Sequence, residues 1–207
     1  MENPVLSSDA LRQRILASAT KLFMVRGFQE TSIEEIARDA ATTKRSLYSR
    51  YASKMKLFED VVHNVLKTIS PRDFVRPRSD GVEQRLTELG HYIVRLCFQP
   101  SSRDCFRIML AESWKFPEIA NLWFRLTVTL RDVVQKVLDV AVRYGELCPG
   151  NNKVRAGQFL ALVATEPMRL ALSSEFRLVF TSEHERHVQQ CVELFLHGCS
   201  SHSRKLK

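Results

Sequence analysis

A chain of 207 residues that is 44% hydrophobic is long enough to bury a core, which excludes disorder of the whole chain. Its 31 Lys and Arg against 23 Asp and Glu leave a formal net charge of +8, which favours an anionic partner and leaves the distribution of charge to say which one. The opening MENPVLSSDALRQR lacks the charged start and apolar run of a signal peptide, and no uncharged apolar run approaches the roughly 18 residues of a spanning helix, so a cytoplasmic chain without a membrane partner is expected.

Seven glycines and the absence of any useful β-alternating run predict an all-α fold of about nine helices. The first starts near Ser8, with Ser7, Ser8 and Asp9 as N-cap types; Leu11, Ile15, Ala19, Leu22 and Phe23 trace its apolar face until Gly27. A short second helix starts at Thr31 or Ser32, with Glu34 and Glu35 complementing its dipole and Ile33, Ile36, Ala37 and Ala40 facing inward. After a break at Ala41 and Thr42, Thr43 caps a third helix that turns Leu47 and Tyr51 inward, and a fourth runs from Ser53 to about Ile69. The segment from Pro71 to Gly81 reads as a linker or exposed loop.

Beyond it, Val82, Leu86, Leu89, Ile93 and Leu96 form a helical stripe that ends before Pro100, and Ser102 to Trp114 is a further helix. Pro117 suits the first turn of a long helix that Gly145 ends. Cys148 to Asn152 is a turn, followed by helices over about Lys153 to Ser173, with Pro167 inside it, and about Ser182 to Gly198. The expected division is residues 1–52 as one domain, 53–70 as a connecting helix and 71–207 as a larger helical domain with a disordered basic tail from about 199. Of five cysteines with no CxxC spacing, most are expected reduced and buried, with neither a disulfide framework nor a metal site.

Thr42 to Phe58 holds Lys44, Arg45, Arg50, Lys54 and Lys56 and no acid. Two short helices joined by a tight turn and braced by longer ones make a helix-turn-helix, in which the second short helix enters the DNA major groove. With Leu47 and Tyr51 turned inward, Lys44, Arg45, Ser46, Tyr48 and Ser49 face outward, and these types contact phosphates and base edges. Tyr48 is alternatively a cover for the junction between helices. The run from Ile15 to Val62 resembles the DNA-binding domain of the TetR family of transcriptional regulators, through LF, Gly, TS, IA, LY, an aromatic and SK..LF in order and spacing.

That resemblance implies a phosphate contact at Thr31 or Ser32, a recognition helix capped by Thr43 and headed by Lys44, Arg45 and Ser46, and a phosphate clamp at Lys54 on a helix N-terminus. Ala41 stands where the family has glycine, so this turn either holds a left-handed alanine at roughly 1 kcal/mol or more, or takes another geometry. Arg45 and Arg50 also depart from the family pattern, and each is suited to a bidentate contact with guanine.

From Phe106 to Ala171 the chain resembles the C-terminal domain of the AefR-like branch of that family, resting on Ala111, Glu112, Phe116, Pro117 and Glu118. The family uses this domain to dimerise and, in many members, to hold a small hydrophobic effector. Phe106, Met109, Trp114, Trp123 and Phe124 are core residues by default; the alternative is a cavity for a hydrophobic or aromatic effector, with Arg107 paired to an anionic group. Phe159 and Val163 in an apolar helix, with Val188, Cys191, Val192 and Phe195 in a stripe of the last, suit a subunit interface. His184 and His187 read as exposed histidines. No Gly-rich loop, GxSxG, HExxH or convincing acid pair occurs, so neither an enzyme nor a cofactor is expected. The function expected is a homodimeric, ligand-responsive repressor on a pseudo-palindromic double-stranded DNA operator; the alternative is a nonspecific architectural DNA-binding protein.

Overall fold

A computed structural model describes residues 4–66, 81–173 and 179–199. Among the described residues the regular structure is entirely helical: α1 Pro4–Arg26, α2 Ile33–Asp39, α3 Lys44–Tyr48, α4 Lys54–Leu66, α5 Gly81–Phe98, α6 Pro100–Glu112, α7 Pro117–Arg143, α8 Asn152–Ser173 and α9 Ser182–Cys199. α1 starts at Pro4 rather than Ser8, and Pro100 opens α6 as well as following α5, because proline lacks only an N–H that a first turn leaves unbonded anyway. The expected linker over 71–80, the end of the fourth helix past Leu66 and the tail beyond Cys199 lie outside the described residues.

The chain forms two compact units, one holding α1 to α4 with residues 104–122, the other α5, residues 123–143, α8 and α9. In the first, α1 contributes Ile15, Leu16, Ala19 and Phe23 to a core completed by Ile36, Leu47, Leu57, Phe58, Val61 and Val62. Burying each large apolar side chain is worth about 1.5–3 kcal/mol. Phe58 meets Phe23 and Phe28 edge-on, each at 5.2 Å between centroids. Arg12 of α1 pairs with Asp60 of α4 at 2.9 Å, and Lys21 with Asp39 of α2 at 2.7 Å.

In the second unit α5, α8 and α9 pack on one another. A Cβ at Gly90 would come within 2.6 Å of Val188 Cγ1, so α5 and α9 approach over a position only glycine fits. The stripe assigned above to a partner lies in this core instead: Phe159, Val163 and Val188 are fully buried, Val192 and Phe195 nearly so, and Cys191 is half-buried. The reason is periodicity, which marks a buried face without naming the neighbour, and here the neighbour is α5 of the same chain.

Pro167, inside α8, offers no N–H to the carbonyl four residues back. That carbonyl, of Val163, is 3.2 Å from His187 Nε2. His187 is therefore half-buried and bonded, and His184 accepts from the Thr181 amide at 3.0 Å through Nδ1, so the pair is not simply solvent-exposed. Among the described residues no cluster of three or more His, Cys, Asp or Glu is placed to hold a metal ion, and no helix is long and apolar enough to cross a membrane.

Candidate nucleic-acid interface

Two capped helix starts build the site. Ser32 caps α2 in a capping box: its hydroxyl accepts from the Glu35 amide at 3.2 Å, and Glu35 Oε2 accepts from the Ser32 amide at 3.1 Å. The Ser32 bonds, with Arg26 beside them, hold the Glu35 carboxyl below the usual carboxylate range. Thr43 caps α3 by accepting from the Ser46 amide at 3.0 Å. Between them α2 ends with Ala41 in the left-handed region, φ 48°, and the Thr42 amide donating to the Ala37 carbonyl at 2.9 Å. This is a Schellman ending with alanine in the glycine position, so the left-handed branch of the expectation holds.

The turn presents a short helix whose one buried side chain is Leu47. Arg45, Ser49 and Arg50 are exposed, Tyr48 is 45% exposed and Ser46 is half-buried. Lys44 is exposed but pairs with Glu34 of α2 and lies 5.8 Å over the Tyr48 ring. The Lys44 ammonium pushes the Glu34 pKa down, and the carboxylate pushes that of Lys44 up. In the sequence Glu34 shows only as a complement to the helix dipole; its place ten positions before Lys44 is the one sign of this pairing across the turn.

Two expected phosphate contacts stand elsewhere. Thr31 is 1% exposed, and its hydroxyl donates to the Gly27 carbonyl at 2.8 Å, closing the turn after α1. Lys54 Nζ donates to the carbonyls of Phe28, Gln29 and Thr31 at 2.9, 3.2 and 3.0 Å and lies 4.5 Å over the Phe28 ring. An ammonium has three donors, so in this arrangement Lys54 keeps none for a phosphate. Burial lowers its pKa, opposed by the charges of Glu112 and Glu30.

The six residues weighed for an effector are divided between the two units. Phe106, Arg107, Met109 and Trp114 belong to the first unit, Trp123 and Phe124 to the second. Phe106 and Met109 are buried, Arg107 and Trp123 half-buried, while Trp114 and Phe124 are 78% and 65% exposed. Cys97 and Cys105 are buried, which raises each thiol to about 12.

Residues 15–61 match the family model of bacterial regulatory proteins, tetR family, and residues 84–198, over half the chain, match that of the AefR-like transcriptional repressor, C-terminal domain. The HTH-type transcriptional regulator UidR of Escherichia coli K12 is 22% identical over 161 residues, 77% of this chain and 81% of that regulator. A TetR-family transcriptional regulator of Mesorhizobium loti MAFF303099 has the same fold at a TM-score of 0.79 and 23% identity, over 92% of this chain and 96% of its own. The flavonoid-responsive regulator FrrA does so at 0.77 and 23%, over 95% and 100%. A capped helix-turn-helix with a basic exposed face, followed by helices that match the second model throughout, makes this chain a member of the TetR family, a sequence-specific DNA-binding transcriptional repressor of the AefR-like branch.

Proposed function

We propose that the protein works as a homodimer whose two α3 helices enter successive major grooves of a pseudo-palindromic operator, and that a small hydrophobic or aromatic effector releases it. Lys44, Arg45, Ser46, Tyr48, Ser49 and Arg50 make the groove contacts in this reading, with Ser32 toward a phosphate. One observation carries the dimer: Leu162 and Leu194 are 37% and 63% exposed on α8 and α9, beside Gln158, Ala161 and Gly198 in a shared recess. Nothing lies within 4 Å of a Cβ built at Gly157 or Gly198, so the small residues leave room for a partner helix. A second copy meeting the same face gives an isologous four-helix contact.

For the effector, His91 Nε2 and Arg131 Nε of the second unit are buried without a hydrogen-bond partner among the described residues. Unsatisfied buried polar atoms ask for a partner, and an aromatic ligand bearing hydroxyl or carbonyl groups is one. The responsiveness of FrrA, which shares the fold, makes a flavonoid a sensible first probe. The test is selection of sites from random duplex DNA at near-physiological salt, with the mass of the protein measured in solution. An inverted repeat with half-sites about one helical turn apart, bound by an even number of chains, is the expected result. A single unrepeated site bound by one chain overturns the dimer.

A further inference from the structure

The segment Ala111 to Glu118, singled out in the sequence and given no part in reading DNA, folds against the DNA-binding helices within one compact unit. Glu112 Oε1 accepts from the Gln29 amide at 3.1 Å. Lys115 Nζ donates to Gln29 Oε1 at 2.8 Å. Phe116 meets Phe28 edge-on at 5.0 Å. Gly27, at φ 84°, has room for no more than a tight Cβ, which would stand 3.3 Å from Glu112 Oε1. Three contacts from residues 112–116 therefore close on the corner between α1 and α2.

We propose that this segment is a positioning latch for the reading head: it fixes the α1–α2 corner and, through it, the first turns of α2 and α4. The corner is where both start. Phe28 carries Phe116 and the Lys54 ammonium, and Lys54 ties the carbonyls of residues 28, 29 and 31 to the head of α4. Ser32, the cap of α2, follows immediately, and Tyr48 of α3 lines the same recess as Gln29 and Lys54. A shift of the corner moves the base of α3 without touching a residue that meets DNA. Rigid packing transmits such displacements because close-packed interiors do not absorb them. The proposal rests on the DNA-binding function of the helix-turn-helix and not on the dimer or effector.

The experiment compares the full-length protein with Glu112→Ala, Lys115→Ala and Lys115→Arg. Three readouts are taken: hydrogen exchange at the Gln29 amide, binding to the selected operator and to a random duplex across salt, and the sequence recovered by selection. The latch predicts faster exchange in Glu112→Ala and operator binding weaker on the order of tenfold in both alanine variants. The recovered sequence, the salt slope and the thermal midpoint stay those of the parent, and Lys115→Arg, which can still donate to Gln29, binds as the parent does. A merely structural role lowers the midpoint in step with affinity, and that outcome overturns the proposal. So does unchanged affinity alongside faster exchange, or a changed recovered sequence, which would make the segment a base contact. Should the parent recover no sequence, the operator reading fails, while exchange and random-duplex binding still decide the latch.

Discussion

Lys54 and Lys44 are both lysines of one basic stretch, yet the fold commits them differently. Lys54 is bound by three carbonyls at the α1–α2 corner, and Lys44 is held by a single exposed carboxylate, that of Glu34. An exposed pair is weak and gives way to a phosphate easily, whereas withdrawing Lys54 orphans main-chain acceptors. A salt titration separates the roles. Lys54→Ala weakens binding to every duplex and leaves the slope of log K against log salt unchanged; a slope flatter by about one unit would return Lys54 to the phosphate. Arg45→Ala, exposed and with no ion pair to the described residues, relaxes sequence preference at one half-site position by about 1–3 kcal/mol. Glu34→Gln frees Lys44, so binding tightens on all duplexes and the slope steepens; weaker binding would make Glu34 a reader of bases rather than a holder of Lys44.

Among elements, what the sequence made legible is what depends on neighbours in sequence. Ser32 and Thr43 cap where their side chains and spacing say, and Pro117 opens α7, whereas at Ala41 the sequence left two geometries open and the turn takes the left-handed one. Contacts across the fold were not legible: the carbonyls around Lys54, the use of α8 and α9 stripes against α5, and His187 on the carbonyl freed by Pro167 all need the direction of a side chain in space. The Ala41 strain can be measured. A left-handed non-glycine residue costs about 1–2 kcal/mol, so Ala41→Gly raises the thermal midpoint by about 2–8 °C, less whatever the freer unfolded chain takes back. A lowered midpoint would mean that the turn relaxes in solution to a geometry where alanine is at ease.

At the scale of the molecule the question is which apolar surface belongs to the chain and which to a partner. Phe159 and Phe195 lie 5.3 Å apart, edge to face, in the core of the second unit, so truncating either to alanine costs about 3–5 kcal/mol of stability in any assembly. Leu162 and Leu194 are 37% and 63% exposed on the same two helices, so charging them costs a lone protomer far less than truncating that aromatic pair. In a twofold interface each substitution appears twice, facing its own copy or the other leucine, and buried like charges have no partner there. Leu162→Glu with Leu194→Glu should therefore halve the mass in solution and keep the thermal midpoint near that of a protomer. It should also weaken binding to the full operator by roughly 10²–10⁴ while leaving half-site preference intact, because two linked heads gain affinity by avidity without new contacts. If the double variant stays a dimer on the full operator, the open face of α8 and α9 is not the interface, and the pairing surface lies elsewhere on the chain.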